Sequence, residues 1–177
     1  ATLKRLTRLS ERLMQLARAE GARVLTDAPQ DLRPILRIIA GDFSQGPDAG
    51  RVTMSLPDAP TPSDIDPDAV AIIARNLIEN ALRHGQGPVA VVLDKKGELT
   101  VENDCPPISP ADLAALSGRF VRGTNAGEGS GLGLAIVHTI AERIGSPLRL
   151  ASPLPGKFTG FSASILLRVP PYQDPSR

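Results

Sequence analysis

Leucines at positions 6, 9, 13 and 16 recur at 3, 4, 3 spacing among Arg5, Arg8, Arg12 and Arg18, which predicts an amphipathic helix over residues 2 to 20 with a heptad-like stripe, ended at Gly21. Two heptads are marginal as an isolated helix, so the stripe needs a second helix or the following domain to cover it. A second helical period runs from Leu32 to Phe43, with Pro34 in the first turn, where its missing N–H is tolerated. The segment before it, with Asp27, Pro29 and Asp31, reads as a loop. Arg51 to Leu56 alternates as a short strand, after which Pro57, Pro60 and Pro62 predict an extended connection without regular pairing.

Asp66-Pro67 sets a capping carboxylate before a proline suited to the first helical position, and the helix is predicted to run to His84, stopped by Gly85, Gly87 and Pro88. Val89 to Leu93 and Glu98 to Glu102 form a predicted hairpin around Asp94-Lys95-Lys96-Gly97. Pro106-Pro107 marks a bend, and Pro110 to Leu116 a short helix. Gly118 to Gly133 reads as a glycine-rich loop leading into a helix from Leu134 to Ile144, which Gly145 ends. Strands at Leu148 to Ser152 and Phe161 to Val169 complete the pattern, and residues 170–177 form a polar tail. This order of elements predicts an α/β two-layer sandwich, one mixed and largely antiparallel sheet with helices on one face, preceded by the N-terminal helix.

Composition narrows the chemistry. The 177 residues suit one sizeable core. Lys+Arg 20 against Asp+Glu 19 leaves a net charge of +1; no general field gathers nucleic acid, and any anion site must be local. The single cysteine, Cys105, cannot close an intrachain disulfide, and with His84 and His138 alone it cannot complete a zinc site. It reads as a small buried residue rather than a reactive thiol. No apolar run approaches the ~18–20 residues of a membrane span, and the chain starts at Ala1 without a signal-like segment, so a cytoplasmic fragment is expected.

Two segments carry candidate chemistry. On the helix from Pro67, the step of about 100° per residue sets Asn76, Asn80 and Arg83 along one edge beside the apolar stripe Val70, Ala74, Leu77 and Ala81. Amide oxygens one turn apart suit a magnesium ion, which takes few protein ligands, keeps waters and draws its other ligands from nucleotide phosphates. A solvated helix edge is the plainer alternative. The second segment, Gly127-Glu128-Gly129-Ser130-Gly131-Leu132-Gly133-Leu134, lies directly before a helix, where glycines admit a polyphosphate and helix-start N–H groups point toward it. A flexible linker is its plainer alternative. No Gly-Lys-Ser/Thr follows, so it is not a Walker loop.

Asn76-Leu77-Ile78-Glu79-Asn80-Ala81-Leu82-Arg83-His84 resembles the asparagine box of sensor histidine kinases, and Gly129-Ser130-Gly131-Leu132-Gly133-Leu134 resembles their second glycine box. Arg119-Phe120-Val121-Arg122-Gly123 between them is similar to the phenylalanine box bordering the ATP lid. The resemblance spans about residues 28 to 169 and implies a Bergerat-type ATP-binding fold, shared with gyrase, Hsp90 and MutL, with three helices on a mixed sheet. It implies Asn80 as the magnesium ligand, Asn76 in support, Arg83 and Arg122 facing phosphates, and Phe120, Gly129, Ser130, Gly131, Leu132 and Gly133 around the nucleotide, with His84 at the pocket edge. Hydrolysing relatives carry a glutamate where Asn76 stands, so the asparagine fits a kinase. Phosphoryl transfer asks mainly for positioning and charge neutralisation, which magnesium, arginines and backbone amides supply.

One box departs from the family. Where the pattern is Asp-x-Gly-x-Gly, this chain has Asn103-Asp104-Cys105-Pro106-Pro107, followed by Ile108. Asn103 takes the place of the aspartate that accepts from the adenine amino group, and its carbonyl oxygen can still accept; a one-residue shift would make Asp104 the contact instead. The prolines remove donors and stiffen the bend. Residues 1–27 resemble the second helix of the family's dimerisation and phosphoacceptor hairpin plus a linker, 28–169 the catalytic domain, and 170–177 a tail. Neither His84 nor His138 stands where the acceptor histidine would. The resemblance therefore implies an ATP- and magnesium-dependent protein-histidine kinase domain of a two-component system. It would act on a histidine of an upstream helix, form a homodimer in the intact protein, serve a response regulator and sit in the cytoplasmic part of a membrane sensor. Two alternatives stand beside it: a non-enzymatic scaffold binding a response regulator, and a hydrolysing gyrase- or MutL-like relative using Glu79.

Overall fold

The computed structural model describes residue 21 and residues 23–45, 47–116 and 132–167. The expected helix over residues 2 to 20, the phenylalanine box, the glycine loop before Leu132 and the C-terminal tail lie outside the described residues. In chain order the elements are β1 (Leu25–Asp31), α1 (Leu32–Asp42), β2 (Val52–Ser55), β3 (Pro62–Ile65), α2 (Pro67–His84), β4 (Val89–Leu93), β5 (Glu98–Asn103), α3 (Pro110–Leu116), α4 (Leu132–Arg143), β6 (Arg149–Ala151) and β7 (Phe161–Leu166).

Five strands form one sheet in the order β2-β4-β5-β7-β6, antiparallel except for the parallel pair β2–β4. The mixed, mainly antiparallel sheet expected from the sequence is thus observed. Alternation along the strands decides which face is covered. Val89, Val91 and Leu93, then Leu99, Val101 and Asn103, then Phe161, Ala163 and Ile165 are buried, while the residues between them are half-buried or exposed. That period of two puts the core on one face. Helices fill it: α1 contributes Leu32, Leu36 and Ile39, α2 contributes Val70, Ile73, Leu77 and Ile78, and α4 contributes Ile136, Val137 and Ile140. The central helix α2 packs on both α1 and α4.

Local chemistry fixes the ends of α2. The Asp66 carboxylate accepts from the Asp68 N–H at 2.9 Å with Pro67 at the helix start, and the Gly85 N–H closes the far end on the Ala81 carbonyl at 2.8 Å. The hairpin tip is held by Asp94, whose carboxylate accepts from the N–H groups of Lys96 and Glu98, with Gly97 at φ +85°.

One reading is corrected. The segments read as a loop and as an unpaired connection form a second sheet, β1 antiparallel to β3, with Gln30 opposite Ser63 and Asp31 opposite Pro62. The prolines that argued against pairing sit where a two-stranded ribbon tolerates them. Pro62 begins its strand, and Pro29 falls in the irregular stretch between Leu25 and Gln30. A carboxylate clasp joins this ribbon to α1. Asp31 accepts from the Arg33 guanidinium at 2.8 Å, the Arg33 N–H at 3.2 Å and the Thr61 N–H at 3.1 Å. Those bonds, the Arg33 side chain first, hold the Asp31 pKa down to about 2.

A carboxylate depressed in the folded state stabilises it fully above its unfolded value and loses that stabilisation as pH falls through the folded value. Asp31→Asn is therefore expected to lower the unfolding free energy by about 1–2 kcal/mol at pH 7. Denaturant titrations at pH 7 and near pH 2 check this, because the gap between variant and wild type should narrow at the acid end. A gap that does not change with pH would refute the linkage.

Candidate functional site

The last two turns of α2 present the amides. Asn76 is 1% exposed and its Nδ2 donates to the Ile72 carbonyl at 2.8 Å, which fixes the rotamer; Asn80, one turn on, is half-buried, and Arg83 is exposed. Spacing of four and then three keeps them on one side of the helix. On another side of α2, Arg75 pairs with Asp42 and lies 5.8 Å from the centre of the Phe43 ring, anchoring the helix to α1. Desolvation, and next to it the charge of Arg83, lower the His84 pKa.

Beyond α2, the chain returns through β4 and β5 to Asn103, which pairs with Val89 on one side and Phe161 on the other. Asn103 is 3% exposed, on the helix-covered face. Its Oδ1 is buried and has no hydrogen-bond partner, and its Nδ2 reaches only the Asp104 carbonyl at 3.4 Å. A buried amide oxygen left unsatisfied costs about 1–3 kcal/mol, which a donor group on a ligand can recover. Asp104 is exposed, and its carbonyl accepts from the Gln86 N–H at 2.9 Å.

Sequence reasoning read Gly85 only as a helix stop. A Cβ on Gly85 would lie 2.6 Å from the Ala81 carbonyl oxygen and 2.7 Å from both Cβ and Nδ2 of Asn103. The helix end therefore abuts Asn103 through bare backbone, bringing the end of α2 against the end of β5. Nothing short of the tertiary packing reveals this. Ser152 was missed as well: its hydroxyl donates to the Gly160 carbonyl at 2.7 Å and accepts from the Ile108 N–H at 3.0 Å, while the Gly160 N–H donates to the Cys105 carbonyl at 2.8 Å. This network holds the Pro106-Pro107 bend against the β6–β7 connection, with Ile108 half-buried. Cys105 is half-buried, and burial pushes its thiol pKa up, consistent with an unreactive thiol.

At the other border, α4 packs along α2 and begins at Leu132 and Gly133, both half-buried. His138 contacts the Leu116 carbonyl at 3.3 Å, bridging α4 to α3 as a helix residue. Phe120, Arg122, Gly129, Ser130 and Gly131 lie outside the described residues. Among the described residues no group of three or more His, Cys, Asp or Glu side chains could hold a metal ion. Amide oxygens alone bind Mg²⁺ weakly, so the donor set fits magnesium only together with phosphate oxygens. A surface hollow bordered by Ile144, Ser146, Pro147, Arg149 and Leu166 shares no residue with this region.

With this geometry in view, comparisons become informative. The family model for histidine kinase-, DNA gyrase B-, and HSP90-like ATPases matches residues 65–171. The chain is 35% identical over 149 residues to the signal transduction histidine-protein kinase BaeS of Escherichia coli K12, covering 77% of this chain and 32% of BaeS. It is 30% identical over 169 residues to sensor protein QseC of the same strain, covering 92% of this chain and 37% of QseC. The NMR structure of the histidine kinase domain of the E. coli osmosensor EnvZ matches with a TM-score of 0.62 at 26% identity, covering 89% of this chain and 97% of that one. The chain thus spans about a third of the length of the curated relatives it matches.

Proposed function

The chain belongs to the histidine kinase-, DNA gyrase B-, and HSP90-like ATPase family, and on that footing we propose that it is the ATP-binding catalytic domain of a two-component sensor histidine kinase, moving the γ-phosphoryl group of ATP to a histidine on another segment. The observation that carries this reading is the buried, partnerless Oδ1 of Asn103, one glycine away from the helix that carries the asparagine pair. That acceptor suits the adenine amino group, which supports Asn103 over the exposed Asp104 as the base contact. Asn76 and Asn80 face the phosphate end, Arg83 and Arg122 neutralise phosphate charge, and Leu132 and Gly133 close the glycine box at the head of α4. Phe120, Gly129, Ser130 and Gly131 complete the nucleotide surround, His84 borders it, and Ile108 walls the base.

Magnesium, when bound with the nucleotide, supplies charge neutralisation across the phosphates. The protein side chains hold the reacting group in line and orient it, and no strong base is required. Asn76 stands where a hydrolase would keep a glutamate to activate water, which favours transfer over hydrolysis. Around this domain, residues 1–27 would serve as the second helix of the dimerisation hairpin with its linker, 28–169 as the catalytic unit and 170–177 as a tail. The partners are then an upstream phosphoacceptor helix, a second copy and a response regulator, in the cytoplasmic part of a membrane sensor. Among the described residues no helix is long and apolar enough to cross a membrane.

Calorimetric titration of the 177-residue chain with ATP should give single-site binding in the range of about 1 μM to 1 mM when magnesium is present. Radiolabel from ATP should then appear on a separately supplied phosphoacceptor hairpin. The second reading, a scaffold that has lost nucleotide, draws on Pro106 and Pro107, which remove two backbone donors at the base-proximal bend. Silence in the titration at millimolar Mg-ATP would favour that scaffold.

A further inference from the structure

Two departures from the family pattern fall on the same contact, Asn103 in place of an aspartate and Cys105 in place of a glycine. An ionised carboxylate only accepts hydrogen bonds, so it suits a 6-aminopurine and repels the 6-oxo group of guanine or hypoxanthine. A carboxamide has one accepting and one donating side, exchanged by turning the planar group over at nearly constant shape. In Asn103 the accepting side of the amide is unengaged. Oδ1 has no partner, and the Nδ2 bond to the Asp104 carbonyl, at 3.4 Å, is at the long limit of a hydrogen bond. The Asn103 side chain lies against the Gly85 backbone, where a Cβ added to the glycine would lie 2.7 Å from both its Cβ and its Nδ2. Burial pushes the Cys105 thiol pKa up, and the Asn103 side chain acts on it in the lowering direction, which is the sense of an amide N–H donating to sulfur. With the amide turned over, the thiol can donate to Oδ1, an interaction that a glycine could not offer.

We infer that Asn103 makes this a purine-tolerant site, accepting from the 6-amino group of ATP in one orientation and donating to the 6-oxo group of GTP or ITP in the other, with Cys105 supporting the second orientation. The inference rests on the nucleotide-binding reading above and names its substrate class, purine nucleoside triphosphates rather than ATP alone. Inosine triphosphate isolates the contact, because it shares the 6-oxo group with GTP and lacks the 2-amino group.

The test is calorimetric titration of the 177-residue chain with the magnesium complexes of ATP, GTP and ITP. Wild type is expected to bind ITP within about tenfold of ATP, since the amide satisfies either base. Asn103→Asp should widen the preference for ATP over ITP by about tenfold or more. ITP binding without GTP binding also supports the inference, with the 2-amino group excluded elsewhere in the pocket. ATP bound while ITP is about 100-fold weaker overturns the inference and leaves the kinase reading standing. Binding of none of the three overturns both. The wild-type ratio decides the matter even if a variant fails to fold.

Discussion

Asn80→Ala is expected to erase the effect of magnesium on ATP binding, leaving an affinity with the metal equal to that measured in EDTA and a loss of about 100-fold relative to wild type with magnesium. The size follows from the site's composition. With Asn80 proposed as the metal ligand, a site that takes few protein oxygens loses a large share of the protein's contribution when one of them is removed. The helix should survive, because Asn80 is only half-buried and alanine is a better helix former. Paired titrations with and without metal, beside a thermal melt, separate lost coordination from lost folding. A variant that keeps full magnesium dependence would remove Asn80 from the metal site. Asn76 is a poorer probe, since its burial and its bond to the Ile72 carbonyl mean that truncation disturbs the core as well.

Gly85→Ala should damage both folding and nucleotide binding with a single methyl. The backbone conformation at this residue, φ −92° and ψ 153°, is open to any amino acid, so the objection is steric. The new carbon would sit 2.6 Å from a backbone oxygen and 2.7 Å from Asn103. Relief requires the helix end or the asparagine to move, with a destabilisation of about 1–3 kcal/mol and a fall in melting temperature of about 3–10 °C. ATP affinity should drop by about tenfold or more as the acceptor leaves its position. Gly41→Ala is the control, because nothing lies within 4 Å of the added carbon there. Equal melting temperatures and equal affinities in the two variants would show that the close approach has no consequence.

These contacts also mark what a one-dimensional reading reaches. The helix α2 was legible to the residue, since its start is written in Asp66-Pro67 and its end in Gly85, and the hairpin was legible because an Asp–Gly turn separates two alternating runs. Strands β1 and β3 were not, because their prolines signal unpaired chain and only the partner strand shows that the positions are tolerated. The asparagine box was visible as a periodic edge. The burial of Asn103 beside an exposed Asp104 was not, because the strand continues to Asn103, one residue beyond the expected end, and successive residues of a strand face opposite sides. The approach of Gly85 to Asn103 joins residues 18 positions apart through packing, a relation that no local pattern encodes.

The parallel pair β2–β4 has a consequence for the order of assembly. Hairpin β4–β5 closes over a four-residue turn, Asp94 to Gly97, whereas pairing Val52 with Val89 must enclose β3 and all of α2. Loop closure of that size is entropically dearer and comes later than the hairpin. The asparagine-bearing helix is therefore part of the crossover that joins the edge strand to its neighbour. Nucleotide that grips the helix would then clamp a strand it never touches, so that ligand protection in hydrogen exchange spreads as one cooperative block from α2 to β2.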